Sequence, residues 1–311
     1  MERTLTLATR KSKLALTQST WVKEQLEAAW PGLKIELLHV TTKGDKILDV
    51  PLAKVGGKGL FVKEIEEAML RGEADFAVHS LKDVPTELPE GLEVSIFPER
   101  EDVRDAFVSN SADSLDALAE GAKVGTSSLR RMAQLRAVRP DLKIESLRGN
   151  LDTRLKKLDD GLYDAIILAA AGMNRLGLSD RITSLLDTEQ MLPAIGQGCL
   201  GLEFRSSDDE VRRILSAIHH EETAVCVTAE RGFLDRLQGG CQVPIGAYAY
   251  LDEDGNITLE GMVATEDGSE IIRRGMRGPV SRARDLGVVL AEQILDVGGM
   301  EILKEVYDAG G

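Results

Sequence analysis

The segment Val124–Arg130 has the sequence VGTSSLR, which places small hydroxyl residues and a basic residue between an aliphatic stretch and an amphipathic one. Near the start of the chain, Leu7–Ser12 has the similar arrangement LATRKS. Gly72–Asp75 and Gly161–Asp164 repeat a second pattern, because each runs from glycine to aspartate over the same spacing and precedes a short aliphatic run. These repeats favour two similar α/β lobes that face each other across a ligand-binding cleft, with chance similarity of βα units as the alternative.

Short aliphatic runs alternate with amphipathic stretches from the start of the chain to about residue 190. This alternation is typical of βα units in a parallel or mixed sheet. The last part of the chain differs, since 245–251, 257–265 and 270–276 predict three antiparallel strands joined at turns with the sequence DG. A helix is expected over 281–297. The predicted fold class is therefore α/β, with two lobes and a small C-terminal α/β domain that contains a three-stranded antiparallel sheet.

The composition disfavours several classes of protein. The chain has 311 residues, of which 43% are hydrophobic, and a formal net charge of −14, so neither a basic nucleic-acid-binding surface nor a disordered chain is expected. The longest apolar run, 165–172, is too short to span a bilayer, and the first residues lack the apolar core of a secretory signal. Three widely spaced cysteines without a CxxC pair fit neither a disulfide framework nor a zinc site. We therefore expect a cytoplasmic globular protein with no nucleic-acid, membrane or metal partner.

Both strand-to-helix turns of the first repeat resemble anion-binding sites. The first turn of a helix offers unpaired N–H groups and a partial positive charge, and serine or threonine adds hydroxyl donors. Arginines, whose forked donors suit carboxylates, stand beside glycine, serine and predicted strand ends at Arg130, Arg131, Arg148, Arg154 and Arg175. In an acidic chain this clustering favours a polyanion-binding cleft over a solvated basic face. The sequence contains no GxxxxGK[ST] motif, so nucleotide phosphates are not specifically indicated.

Two glycine-rich segments have more than one interpretation. Lys54–Gly59 (KVGGKG) is compatible with a mobile lid over an anionic ligand and with a plain flexible surface loop. Gly196, Gly198 and Gly201 match the dinucleotide-binding pattern GxGxxG, but a poor strand precedes them and a strand-like pattern follows. A crossover between the lobes is the favoured interpretation.

Polar residues follow a buried-looking strand within 77–85 (AVHSLKDVP). Asp83 is either a carboxylate held in a cleft at the strand end or a turn-initiating aspartate, and His79 fits a hydrogen-bonded core histidine. Cys241 follows a pair of glycines after a predicted helix, so its thiol is either structural or reactive, as a nucleophile or an attachment point. Cys199 and Cys226 fit small core residues.

Nine segments, in this order, resemble the porphobilinogen deaminase family, whose members are also called hydroxymethylbilane synthases. They cover almost the whole chain and are ATRKSKLAL (8–16), KVGGKGLFVKE (54–64), AVHSLKDVP (77–85), REDVRDAFVS (100–109), VGTSSLRR (124–131), SLRGNLDTRL (146–155), DAIILAAAGMNRLGL (164–178), LPAIGQG (192–198) and GGCQVPIGAYA (239–249). One departure is Cys199, where the family pattern leads us to expect a small residue such as alanine. Cys241 therefore need not be the sole reactive thiol.

The resemblance implies a protein of three domains. Two lobes with the fold of type-II periplasmic binding proteins would flank a cleft, and a small C-terminal domain would carry Cys241. The implied boundaries are 1–98 with 199–218 for the first lobe, 99–198 for the second lobe and 219–311 for the C-terminal domain. The GxGxxG match then lies where the chain returns to the first lobe.

The resemblance also implies the chemistry. A dipyrromethane cofactor, built from two porphobilinogen units, would be thioether-linked to Cys241. Four further porphobilinogen molecules would add head to tail with loss of ammonia, and water would release hydroxymethylbilane for tetrapyrrole and haem biosynthesis. Asp83 matches the catalytic aspartate of the family. The competing hypotheses are a two-lobed cytoplasmic anion receptor or sensor without chemistry, and a nicotinamide dehydrogenase.

Each pyrrole carries an acetate and a propionate, so a growing chain is a polyanion and most of the implied binding residues are basic or polar. They are Arg10, Gln18, Lys54, Ser80, Lys82, Thr126, Ser128, Arg130, Arg131, Arg148, Arg154, Arg175 and Gln197. The implied lid contains Lys54, Gly56, Gly57, Lys58, Gly59 and Phe61. The expected partners are porphobilinogen and the growing polypyrrole chain, and we expect a monomer that hands its product to the next pathway enzyme.

Overall fold

The computed structural model describes residues 2–46, 59–238 and 243–309 of the chain. The strands are β1 (Arg3–Arg10), β2 (Leu33–Val40), β3 (Phe76–Ser80), β4 (Leu92–Ile96), β5 (Asp105–Ser109), β6 (Lys123–Gly125), β7 (Lys143–Glu145), β8 (Ala165–Ala169), β9 (Ser184–Leu186), β10 (Leu200–Arg205), β11 (Ile245–Leu251), β12 (Ile257–Ala264) and β13 (Ile271–Gly278). The helices are α1 (Lys13–Ala29), α2 (Lys43–Lys46), α3 (Lys63–Leu70), α4 (Leu129–Val138), α5 (Leu151–Asp159), α6 (Ala170–Arg175), α7 (Asp209–Leu215), α8 (Glu221–Arg236), α9 (Ala283–Ile294) and α10 (Met300–Ala309).

The first sheet has the strand order β2-β1-β3-β10-β4. β1 pairs in parallel with β2 and β3, while β10 pairs antiparallel with β3 and β4. Leu7, Val22 and Phe204 belong to the core that this sheet shares with α1 and α7, and Ile65 and Met69 of α3 belong to a second core. Strands buried on both faces read as short aliphatic runs, which is the pattern that the sequence shows.

The second sheet has the strand order β7-β6-β8-β5-β9. β6 pairs in parallel with β7 and β8, while β5 pairs antiparallel with β8 and β9. The order and direction of the strands thus repeat those of the first sheet position by position. The prediction of two similar α/β lobes is confirmed, and chance similarity of isolated βα units is excluded.

The repeated spacing from glycine to aspartate has one structural role in both lobes. In the first lobe, Asp75 accepts from the Thr6 amide through its carboxylate at 2.7 Å and donates its own amide to the Thr6 carbonyl at 2.8 Å. In the second lobe, Asp164 makes the same pair of bonds to Lys123, at 2.7 and 2.9 Å. Each aspartate therefore ties the start of one strand to the neighbouring parallel strand.

The glycines of this pattern end the helices that precede the two aspartates. Gly72 follows α3 with φ of 73°, and Gly161 follows α5 with φ of 75°. Glycine adopts this left-handed conformation without steric cost, so it ends a helix and turns the chain toward the next strand.

The C-terminal part of the chain contains an antiparallel sheet with the order β11-β12-β13. Phe233 of α8, Leu259 of β12 and Leu290 of α9 are among the buried residues of its core. The helix predicted over 281–297 is shorter, because α9 ends at Ile294 and a π-type turn follows, in which Gly298 has a left-handed φ of 114°. The predicted fold class, α/β with two lobes and a C-terminal domain that contains a three-stranded antiparallel sheet, is confirmed.

The described residues form two compact units. One contains the described residues up to 101 together with 199–224, and the other contains 102–198 and the residues from 225 onward. The second sheet and the antiparallel sheet thus belong to the same unit, and the boundaries of three domains remain a prediction. Among the described residues, no helix combines the length and the apolar composition needed to cross a membrane.

Candidate active site

The strand β3 leads directly to the predicted catalytic residue. It ends at Ser80 and continues as a 3-10 turn that contains Leu81 and Asp83. The Leu81 amide donates to the carbonyl oxygen of Cys199 at 3.0 Å, which fixes the start of the turn beside β10. The Asp83 side chain is exposed. An exposed carboxylate on an anchored turn at a strand end is well placed to contact a ligand.

Two other predicted binding residues lie beside this turn. The side-chain amide of Gln18, which is buried on α1, donates to the hydroxyl of Ser80 at 3.0 Å. Lys82 is half-buried within the turn itself. A side chain from α1 therefore supports the strand end that carries Lys82 and Asp83.

Arg10, the last residue of β1, contacts a carboxylate that the sequence did not indicate. Its Nε donates to Asp45 Oδ1 at 3.0 Å, and its Cζ lies 4.3 Å from the centre of the Phe61 ring. Burial raises the pKa of Asp45, but the hydrogen bond and charge of Arg10 outweigh it, so the pKa lies below its ordinary value. An incoming ligand carboxylate would therefore compete with Asp45 for Arg10.

Most of the predicted lid falls outside the described residues. This applies to Lys54, Gly56, Gly57 and Lys58, and it also applies to the predicted attachment residue Cys241. The described end of the lid starts a turn before α3, where the carbonyl oxygen of Gly59 accepts from the Val62 amide at 3.0 Å. The lid and the attachment site therefore remain predictions.

A buried cluster in the second unit contains three of the predicted binding residues. Arg130 and Arg131 on α4, and Gln197, are at most 6% exposed. All three donate to the carboxylate of Asp105 at the start of β5. Arg130 Nη2 lies 2.8 Å from Oδ2, whereas Arg131 Nε and Gln197 Nε2 lie 3.1 and 2.9 Å from Oδ1. Two guanidinium groups thus share one carboxylate.

The electrostatics of this cluster favour an additional anion. Burial by itself raises the pKa of Asp105, but the charges of Arg130 and Arg131 hold it well below the ordinary range. Burial lowers the pKa of Arg130, and the charge of Asp105 opposes this change. Among the described residues, Nε of Arg130 has no hydrogen-bond partner. Two buried positive charges against one carboxylate, with one buried N–H group unsatisfied, are an arrangement that a further carboxylate would stabilise.

Two more predicted arginines flank the turn before α5. Arg148 and Arg154 are both half-buried, and Arg154 Nε donates to the carbonyl oxygen of Gly149 at 2.9 Å. Asn150 caps α5, because its side-chain oxygen accepts from the Thr153 amide at 2.9 Å. The capped turn holds both arginines at the N-terminal end of the helix.

The remaining predicted residues of the second unit lie at a helix start and at the crossover. Thr126 Oγ1 accepts from the Ser128 amide at 3.2 Å, just before α4. Ser128 is the N-cap residue of α4, and its hydroxyl makes no capping bond within the described chain. Arg175, at the end of α6, donates to the carbonyl oxygen of Gly198 at 2.7 Å. The predicted residues of this unit are thus grouped at the starts of α4 and α5 and at the crossover.

Two family models match most of the chain. The family model described as porphobilinogen deaminase, dipyromethane cofactor binding domain, matches residues 5–213, and the model of the porphobilinogen deaminase C-terminal domain matches residues 224–296. The chain belongs to the porphobilinogen deaminase family. Its activity is that of a hydroxymethylbilane synthase, a transferase of tetrapyrrole biosynthesis, and the receptor without chemistry is not favoured.

Several solved bacterial structures are similar to part of this porphobilinogen deaminase family member. The periplasmic VFT2 domain of BvgS from Bordetella pertussis is 19% identical, over 69% of this chain and 86% of its own, with a TM-score of 0.41. A putative lipoprotein from Actinomyces odontolyticus is 17% identical, over 71% and 92% of the two chains, with a TM-score of 0.43. A nutrient binding protein from Burkholderia cenocepacia bound to methionine is 12% identical, over 75% and 96%, with a TM-score of 0.41.

In this porphobilinogen deaminase family member, the segment that matches GxGxxG is a crossover between the lobes, which is the interpretation favoured from the sequence. Gly196 and Gly198 have φ of 70° and 84°, and the strand β10 follows them rather than a helix, so a dinucleotide-binding turn is excluded. The carboxylate of Glu230, which is fully buried on α8, holds this segment by accepting from the Gly196 amide at 2.7 Å and the Ala249 amide at 2.9 Å. Glu230 thus fixes the segment that presents Gln197 to the arginine cluster.

Sequence reasoning missed Asp45, Asp105 and Glu230. A signal existed for Asp105, because a charged residue opens the aliphatic run of β5 and a buried charge requires partners. Glu230 similarly lies within an otherwise amphipathic helix, but no local pattern shows that it faces backbone amides. Asp45 contacts Arg10 across 35 positions of sequence, so only the fold reveals that pair.

Proposed function

We propose that Asp83 is the catalytic carboxylate and that Cys241 holds the dipyrromethane cofactor through a thioether. On this proposal the enzyme adds four porphobilinogen units head to tail to that primer with loss of one ammonia at each addition, and water then hydrolyses the bond between primer and product to release hydroxymethylbilane. The observation that carries it is the buried Asp105 cluster, which leaves Arg130 Nε without a partner among the described residues in a chain of net charge −14. A polyanionic ligand accounts for that arrangement.

The residues present fit the cofactor. A dipyrromethane carries acetate and propionate groups, and it supplies the pyrrole carbon to which the first substrate is joined. Arg130 would donate to one of its carboxylates through Nε, which has no partner among the described residues, and the buried charge of Arg131 would add to the attraction. Arg148, Arg154 and Arg175 would bind the carboxylates of substrate and of later pyrroles.

Asp83 would stabilise the positive charge that develops on the substrate. When porphobilinogen loses ammonia, the remaining pyrrole is a cationic azafulvene. A carboxylate about 4 Å from such a charge contributes roughly 4 kcal/mol at an effective dielectric constant near 20. Only the part gained in the transition state accelerates the reaction, so about a thousandfold is the ceiling. Asp83 would also accept the proton that the attacked ring carbon loses once the new carbon–carbon bond has formed.

We further infer that the protein acts as a cytoplasmic monomer and passes its product to the next enzyme of the pathway. The three-domain division at 1–98 with 199–218, 99–198 and 219–311 belongs to the same proposal, and the family resemblance supports it. Light scattering coupled to size exclusion tests the monomer.

The mass of the intact protein tests the attachment. Wild type should carry an excess equal to two linked pyrrole units, and Cys241→Ser should lack it. Cys199→Ala is the matched control and should keep the excess, because Cys199 is 1% exposed. If wild type lacks the excess, incubation with porphobilinogen should add it and start ammonia release. An adduct retained in Cys241→Ser would overturn the attachment, and saturable porphobilinogen binding without ammonia release would overturn the activity.

A further inference from the structure

Three polar side chains are buried together beneath the helix α3 in the first unit. His79 on β3 is 6% exposed, Glu203 on β10 is 0% exposed, and Glu66 on α3 is 7% exposed. His79 Nε2 and Glu203 Oε2 lie 2.8 Å apart. This contact confirms that His79 is a hydrogen-bonded core histidine, and it shows that its partner is a carboxylate with almost no access to water.

The pair lies at the strand end that carries the proposed active site. Gly201 is directly opposite His79 in the β3–β10 ladder, and Glu203 is opposite Ala77, so the His79–Glu203 contact runs diagonally across both strands. The next hydrogen bond of the same ladder joins the Leu81 amide to Cys199, at the start of the turn that contains Asp83.

Burial of this trio is costly unless the groups act on one another. Among the described residues, Oε1 of Glu203 has no hydrogen-bond partner. Burial and, after it, the charge of Glu203 raise the pKa of Glu66 to about 7, although His79 opposes both effects. On α3 itself, Glu67 raises this pKa and Lys63 lowers it. The trio therefore retains a proton on Glu66 well above the pH at which an exposed glutamate loses it, which limits the repulsion between two buried carboxylates.

An apolar trio of the same volume would pack between α3 and the sheet at lower cost. What the polar trio adds is direction, because a hydrogen bond fixes one strand against another in a single geometry, whereas aliphatic side chains tolerate small displacements. We propose that His79 and Glu203, supported by Glu66, are positioning residues that hold the end of β3, and with it the Asp83 turn, in the geometry that the reaction requires. This inference rests on the proposed role of Asp83.

Two substitutions at one position separate hydrogen bonding from packing. His79→Gln retains an N–H donor for Glu203, and His79→Leu removes it. We expect two effects of His79→Leu in the full-length, cofactor-loaded protein. Hydrogen exchange of the Leu81 amide should become at least tenfold faster, and kcat should fall at least tenfold. The KM for porphobilinogen should stay within twofold of wild type. His79→Gln should stay within threefold of wild type in both exchange and kcat.

The double variant His79→Leu with Glu203→Leu excludes a purely structural role. At pH 6, where Glu66 keeps its proton, removal of both partners leaves no charged carboxylate opposite the leucine, so the unfolding temperature lost in His79→Leu should be regained, even where the single variant folds poorly. Its kcat and Leu81 protection should remain low. Recovery of kcat in the double variant would overturn the proposal, and so would wild-type Leu81 protection in His79→Leu. Full turnover by Asp83→Asn would instead remove the proposed catalytic role, and Leu81 exchange would still report on the trio.

Discussion

At the scale of single residues, Asp83 offers the most direct test of the chemistry. Asp83→Asn keeps the shape of the exposed side chain and removes the charge, so porphobilinogen should still bind while elongation slows by up to about a thousandfold. Equilibrium binding of porphobilinogen and single-turnover ammonia release measure binding and elongation separately. Glu90→Gln, an exposed carboxylate of the same unit, should leave both unchanged. Equal loss in the two variants would show that Asp83 has no special role.

Asp105 predicts a large effect on stability. Asp105→Asn leaves Arg130 and Arg131 buried without a carboxylate, and loss of one partner from a buried ion pair costs about 3–5 kcal/mol. Urea unfolding at pH 7 measures this, with Asp113→Asn, an exposed aspartate of the same unit, as the control.

The same residue sets the direction of an acid dependence. The pKa of Asp105 is lowered in the folded protein, so its stabilising effect is fully present above the unfolded value of 3.8 and is lost as the pH falls toward the folded value. The free energy of unfolding of wild type should therefore decrease below about pH 4, and that of Asp105→Asn should decrease less. Parallel curves for the two proteins would contradict the assignment of this acid dependence to Asp105.

At the scale of elements, Glu66 predicts that α3 is held less firmly as the pH rises. Its pKa is raised from 4.5 to about 7, so the stabilising effect is complete below pH 4.5 and is lost as the pH rises through 7. This shift corresponds to about 3 kcal/mol. Glu66→Gln should flatten the dependence of unfolding free energy on pH between 5 and 8. Glu90→Gln, at an exposed position of the same unit that does not act on Glu66, should keep the wild-type slope. If Glu66→Gln kept the wild-type slope, the pH dependence of the unfolding free energy would have to come from another group.

Asp75 and Asp164 make the same contacts in the two lobes, but we expect their removal to lower the free energy of unfolding by different amounts. Asp164→Ala should destabilise the second lobe by about 1 kcal/mol, since it removes a bond to an exposed backbone amide. Asp75→Ala should cost more, because Asp75 also contacts Arg205 Nη2 at 3.2 Å and is half-buried. Amide exchange should rise in β6 for Asp164→Ala and in β1 for Asp75→Ala. A reversed order of cost would contradict the burial argument.

The contacts of Asp75 and Asp164 also show which elements are predictable from sequence. Both begin from local signals, a helix-ending glycine and an aspartate three positions later. The helix α6 was not predicted, because Ala170–Arg175 directly continues an aliphatic strand without any breaker between them. The pairing of β10 with β3 and β4 joins segments more than a hundred residues apart, which no local pattern contains.

At the scale of the whole molecule, the repeat was sufficient to predict two lobes, whereas the candidate site was predictable only in part. The types of residue that bind a polyanion were recognisable from their positions at strand ends and helix starts. Their partners were not, because Asp105 and Glu230 act through contacts made by folding. The net charge also belongs to the scale of the whole molecule, because it includes residues that never contact the ligand.

A net charge of −14 predicts an unusual dependence on ionic strength. Porphobilinogen carries two carboxylates and one ammonium, so the distant field of the protein repels it while nearby arginines bind it. The Debye length falls from about 30 Å at 10 mM salt to about 10 Å at 100 mM, which screens the distant field more than the direct contacts. The ratio kcat/KM should therefore rise about twofold over this range and fall above about 300 mM as the contacts are screened too. Arg154→Ala should lower the whole curve and retain the initial rise. A steady decrease from 10 mM upward would show that only the local arginines matter.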